Sequence, residues 1–255
     1  APQAGTGKTL LTDVACLIST GAPAPLSPPP PSEEEMRKRI TSILLSSSSV
    51  AVLDNCENAV MSQALSVVLT AESWSDRILG RSESVRPPNN TTWIATGNKI
   101  GFRGDLLRRT IPIKLDSDHS TPWTRSGFRI DDLRGHVLEK RDEYLEAVCV
   151  LISNWINAGS PPANSQTVLG GFEKWMQATS GIMALAGFTE FASNLNEWWD
   201  EHSESESDWQ RWFEGWFEHR GSDEISTAKL IKSLDNSAAG LVFGVHPPSE
   251  VADLA

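Results

Sequence analysis

The sequence predicts an α/β fold: a mostly parallel sheet sandwiched by helices, followed by an all-helical lid and C-terminal region. Three observations predict it. A glycine-rich turn, Ala4-Gly5-Thr6-Gly7-Lys8-Thr9, runs directly into apolar residues at helical spacing. Two short apolar runs, Val50-Ala51-Val52-Leu53 and Thr92-Trp93-Ile94-Ala95, are uninterrupted, as strands buried on both faces of a parallel sheet require. After about residue 118 the apolar periodicity is helical throughout.

Residues 7–20 read as the first helix, with Leu10, Leu11, Val14, Ala15, Leu17 and Ile18 along it; Gly21-Ala22-Pro23-Ala24-Pro25 stops it. Pro28 to Pro31 is extended surface. Ser32 is placed to cap the next helix, with Glu35 at the capping-box position and Met36, Ile40, Ile43 and Leu44 on one face. Serines 46 to 49 close it. Val50 to Asp54 is a buried strand ending in a carboxylate, and residues 59–70 form a helix. Ser82 to Arg86 belongs to a hairpin, and Pro87-Pro88-Asn89-Asn90 is a turn. Thr91 to Thr96 is a second buried strand ending at Gly97-Asn98. Asp105 to Arg109 is a short helix, and Ile111 to Leu115 a third strand, with Pro112 suited to an edge or a strand start. Helical spacing then covers 128–158, 168–187 and 207–219, with Gly159-Ser160-Pro161-Pro162 as a break. The organisation is a core over 1–118, a helical lid over 119–200, and an incomplete helical region over 201–255 for which a winged helix is one form. Residues 1–3 are too few to supply the strand expected ahead of the glycine-rich turn. The core therefore reads as lacking its leading strand.

At 255 residues and 39% hydrophobic, the chain has material for one large or two modest domains. No apolar run reaches 18 residues, so no membrane partner is expected. Cys16, Cys56 and Cys149 are odd in number and widely spaced, which argues against a disulfide framework and a zinc site. Each reads as a buried thiol, in keeping with a cytoplasmic setting. The five histidines show no paired metal spacing. A net charge of −11 excludes a surface broadly built for nucleic acid, though not a few basic loops. From Glu190 to Glu224 eleven acidic residues face only Arg211 and Arg220. That acidity makes the stripe of Trp209, Trp212, Phe213, Trp216 and Phe217 a small helical core or partner surface rather than a platform for stacking bases.

The glycine-rich turn carries the chemistry. The phosphate-loop pattern is G-x-x-x-x-G-K-[ST], and here Pro2 stands at its first glycine. The rest, Ala4, Gly5, Thr6, Gly7, Lys8 and Thr9 with Leu10 beyond, can turn its N–H groups onto a polyphosphate. Lys8 reaches the β- and γ-phosphates of ATP, and the Thr9 hydroxyl joins a Mg²⁺ shell. Asp54 ends a buried strand where its carboxylate holds the Mg²⁺ side, the Walker B position. Asn98 ends the next strand, placed to orient the attacking water. Arg108 and Arg109 end the short helix, where an arginine finger would reach a neighbouring subunit's nucleotide. Asn55 follows Asp54 where a water-polarising glutamate is usual, and the nearest glutamate, Glu57, is the candidate for that role; the plain alternative is a solvated loop residue.

The segments A-G-T-G-K-T, V-L-D-N-C-E, W-I-A-T-G-N and D-L-L-R-R-T-I-P-I-K-L-D together resemble the AAA+ ATPase module of phage, plasmid and integrative-element primase-helicase proteins. That module is similar to superfamily-three and MCM-like helicases, and the resemblance covers roughly residues 1–190. It implies a P-loop NTPase of AAA+ type, ATP and Mg²⁺ as cofactors, and a ring homo-oligomer, a hexamer, that moves along single-stranded DNA in replication. In such rings the interval between the two strands lines the pore. The DNA-contacting candidates are therefore Arg77, Arg81 and Arg86, with Lys99 and Arg103 just after Asn98; the commoner fate of such residues is a solvated face. Arg125, Arg129 or Arg134 would supply a second sensor from the lid. Two alternatives remain: another AAA+ motor such as a protein remodeller, and a nucleotide-binding module without motor activity.

Overall fold

The computed structural model describes residues 5–57, 59–77, 83–98, 100–163, 169–202 and 212–218. Ala4, Arg81, Lys99 and Trp209, and most of the region from 201 onward, lie outside the described residues. In chain order the elements are α1 (Lys8–Thr20), β1 (Leu26–Ser27), α2 (Glu33–Leu45), β2 (Val50–Cys56), α3 (Gln63–Thr70), β3 (Asp76–Arg77), β4 (Ser84–Val85) and β5 (Thr92–Gly97). A 3-10 helix (Gly104–Arg109) and another (Pro122–Thr124) lead into α4 (Leu133–Glu139), α5 (Arg141–Asn157), α6 (Glu173–Leu185) and α7 (Leu195–His202). The chain divides into two compact units, Ala1–Asn196 and Glu197–Ala255.

The first unit is α/β. Its sheet has three parallel strands in the order β1-β2-β5. β2 is central, which is why its run is apolar without alternation: Ala51, Val52 and Leu53 are all buried. α1 lies against β5, and α2 packs on α3. Cys16 and Leu17 of α1, Ile40 and Leu44 of α2, and Leu65 and Val68 of α3 complete the core around β2. Ser32 caps α2 as its sequence signature predicts, accepting from the Glu35 N–H at 3.3 Å. β3 and β4 form the expected hairpin, antiparallel.

Three expectations are corrected, and one element is added. Ile111 to Leu115 is not a strand: Pro112 has no N–H to give a ladder, its carbonyl accepts from Asn194 Nδ2 at 3.3 Å, and Ile113 is 72% exposed. β1 is an unexpected edge strand, too short for a sequence pattern; Pro28 ends it by removing the next donor. The segment 128–158 is two helices, because the Asp132 side chain caps α4 through the Gly135 N–H and the backbone breaks at Lys140. Cys149 is exposed, while Cys16 and Cys56 are buried; all three are free thiols.

In α4 and α5 two arginines grip α1. Arg134 donates to the buried Asp13 carboxylate from Nε at 2.8 Å and Nη2 at 2.5 Å. Arg141 donates to the carbonyls of Leu17, Ile18 and Ser19 in the last turn of α1, where Leu17 also accepts from the Gly21 N–H. The helical segment is thereby fastened to the helix that begins at the glycine-rich loop. Within the second unit, residues 212–218 are helical, and buried Trp212 meets Phe213 and Trp216 edge-on at 5.7 and 5.5 Å. Among the described residues no helix is long and apolar enough to cross a membrane.

Candidate functional site

The loop before α1 turns on two left-handed glycines, Gly5 at φ 74° and Gly7 at φ 92°. Gly7 is the N-cap of α1, and no side chain caps the first turn, which also lacks acidic residues. Gly7 offers no side chain to cap the first turn, and no acidic residue there offsets the helix dipole. Gly5 has a second reason to be glycine. A Cβ there would lie 2.9 Å from Trp123 Cβ and 3.0 Å from its backbone nitrogen, so the 122–124 turn rests directly on the loop.

Asp54 and Asn98 sit at the C-terminal ends of adjacent parallel strands, the end of an α/β sheet where ligands bind. Thr9 Oγ1 donates to Asp54 Oδ1 at 3.2 Å. Lys8 Nζ donates to Asn98 Oδ1 at 2.7 Å and to Thr6 Oγ1 at 3.3 Å. Four residues singled out from three separate segments, Lys8, Thr9, Asp54 and Asn98, are therefore in direct contact. Leu10 continues α1 one residue beyond Thr9. Burial pushes the Lys8 ammonium below its ordinary value, and the Asp54 carboxylate pulls part of the way back.

Between the strands the register slips: Leu53 pairs with Ala95, but Cys56 pairs with Gly97. The extra residue is accommodated at Asn55, whose φ is 58°. A Cβ on Gly97 would come within 2.3 Å of the Cys56 carbonyl, so only glycine allows this approach. Thr96 joins the two sides. Its hydroxyl donates to Asp54 Oδ1 at 2.5 Å and accepts from the Asn55 N–H at 3.2 Å. Sequence reasoning missed Thr96; its only signal was a hydroxyl inside an otherwise apolar strand beside Gly97-Asn98. Cys56, buried next to Asp54, has its thiol pushed up to about 11 by burial first and by that carboxylate second.

Other candidates stand apart. The Glu57 carboxylate meets Asn55 Nδ2 at 3.5 Å, not the loop. The two arginines differ: Arg108 is 58% exposed and pairs with Asp105 at 2.7 Å. Arg109 is 13% exposed, donates to the Ser66 carbonyl and reaches Asp105 at 3.2 Å. Arg108 holds the Asp105 carboxyl below its ordinary value. Arg134 is committed to Asp13, and Arg125 lies over the Phe128 ring at 5.3 Å. Of the basic residues placed near DNA, Arg86 donates to Ser73 Oγ at 2.9 Å, Arg77 lies on β3, and Arg103 precedes the first 3-10 helix.

Comparisons with protein-family models, with curated proteins and with solved structures find no match to this chain.

Proposed function

We propose that the chain is an ATP-hydrolysing motor of the AAA+ P-loop type that acts on DNA, a helicase or translocase of a phage, plasmid or integrative element. The observation that carries this reading is the convergence of Lys8, Thr9, Asp54 and Asn98 at the C-terminal edge of parallel strands, beside an uncapped helix N-terminus. The donor set fits ATP with Mg²⁺. A half-buried lysine beside a glycine-capped helix N-terminus suits a polyphosphate. One carboxylate and one hydroxyl suit a hard, largely hydrated cation, which takes few protein ligands.

Bound Mg²⁺ would supply charge neutralisation at the β- and γ-phosphates. Lys8 and the loop amides hold the phosphates, while Thr9 and Asp54 hold the cation side. Asn98, already bonded to Lys8, would sense the γ-phosphate end and orient the water. Glu57 is the carboxylate available to take up the water proton. Arg108 is the arginine suited to serve a neighbouring subunit, because its pair with Asp105 is solvent-exposed, whereas Arg109 is held against the Ser66 carbonyl. The ring, the hexamer and the single-stranded DNA partner follow from the family resemblance.

The testing experiment is the ATPase rate with and without single-stranded DNA. Stimulation by DNA supports the motor, and Lys8→Ala should abolish turnover. Turnover indifferent to DNA favours a protein remodeller. A second reading, nucleotide binding without turnover, draws on the contact of Glu57 with Asn55 instead of the loop; binding with no hydrolysis would establish it and overturn both motors.

A further inference from the structure

Two hydroxyls, one from α1 and one from β5, meet on one oxygen. Thr9 Oγ1 and Thr96 Oγ1 both donate to Asp54 Oδ1, at 3.2 and 2.5 Å. Among the described residues none donates to Oδ2. Thr96 is only 7% exposed, and its oxygen also accepts from the N–H of Asn55 at 3.2 Å. One hydroxyl has one proton to give and lone pairs to receive, so both bonds are made at once. The residue it grips, Asn55, is the left-handed one at which the register slips.

We propose that Thr96 is a positioning residue for the metal-side carboxylate: by fixing Asp54 through Oδ1 and pinning Asn55, it leaves Oδ2 presented to a divalent cation. The inference rests on the nucleotide reading of this site. If Thr9 turns its oxygen toward the cation, Thr96 is the partner that stays to orient Asp54. Partners that orient a metal-binding carboxylate commonly govern metal affinity by about 10–100-fold. Thr96→Val keeps the shape and removes both hydrogen bonds; Thr96→Ser keeps the hydroxyl and loses the methyl.

The test is binding of a fluorescent ATP analogue to the full chain, first in EDTA and then across a Mg²⁺ titration, with folding checked by circular dichroism. Thr96→Val should raise the half-saturating Mg²⁺ concentration about tenfold or more. Its analogue affinity in EDTA should stay at the wild-type value, because Lys8 and the loop are untouched. Thr96→Ser should respond to Mg²⁺ as the wild type does. If Thr96→Val does not fold, Thr96→Ala is held to the same criterion. A valine variant with wild-type Mg²⁺ dependence overturns the proposal, as does a serine variant shifted equally far. A wild-type chain that binds no nucleotide, or binds it without regard to Mg²⁺, overturns the nucleotide reading itself, and the two failures are distinct.

Discussion

Lys8 carries its charge at a cost. Burial lowers its affinity for a proton, and Asp54 offsets part of that. Between the lowered value and the ordinary 10.5 the unfolded chain binds more protons than the folded one, so stability rises as pH climbs through that window. A bound polyphosphate reverses the shift and draws a proton onto Lys8. Nucleotide binding at alkaline pH should therefore take up protons, seen by calorimetry in buffers of different ionisation enthalpy, and Lys8→Met should remove the uptake. The two adjacent arginines separate in the same way, by environment. Arg109→Ala should destabilise by about 1.5–3 kcal/mol in urea unfolding, the range for hydrogen bonds to charged groups. Arg108→Ala should stay within about 0.5 kcal/mol of the wild type, as exposed pairs do, while turnover falls. Equal stability losses would contradict the division of roles.

At the scale of elements, α1 is the shared part. Its N-terminus opens at the loop, and its middle and C-terminal end are held by Arg134 and Arg141. The Asp13 carboxylate is 6% exposed and also accepts from the Ala24 N–H at 3.0 Å. Arg134→Ala should cost about 1–3 kcal/mol, the penalty for a buried acceptor that loses its partner, softened because the guanidinium is half exposed. Chemical denaturation checks it; a loss below about 0.5 kcal/mol would show that α4 is not fastened through this pair. α5 behaves differently from its sequence. It carries apolar residues at helical spacing, yet Val148, Val150, Leu151, Ile152 and Ile156 are exposed. Periodicity marks which side of a helix is apolar, not whether anything covers it.

For the whole molecule, the proposed motor makes a demand that no single chain meets, since Arg108 is to serve a neighbour's nucleotide. Lys8→Ala chains keep Arg108 but lose the phosphate contact; Arg108→Ala chains have the reverse defect. Each alone should be inactive. An equal mixture should recover about a quarter of the wild-type rate, the share of intact sites that face an intact arginine in randomly mixed cyclic assemblies. No recovery on mixing, with both variants folded, would place Arg108's action within its own chain or outside catalysis.

The parts with strong local codes are legible along the chain. Gly5, Gly7 and Lys8 specify a turn opening a helix, Ser32 specifies a cap, and the apolar run before Asp54 specifies a central strand. The identity of the candidate site residues was legible for the same reason, because loop, carboxylate and amide each close an element. What these residues do to one another is set by packing. Asn98 reaches Lys8 across 90 positions, and Thr96 reaches Asp54 across 42, distances over which no local pattern carries information. Packing also decided between Arg108 and Arg109, neighbours with the same chemistry, by burying one against the Ser66 carbonyl and leaving the other to solvent. Ile111 to Leu115 was misread because its composition is that of a strand, while Pro112 removes the donor a ladder needs. Hydrogen-bond supply and burial are properties of the packed chain, and local sequence reports them only in part.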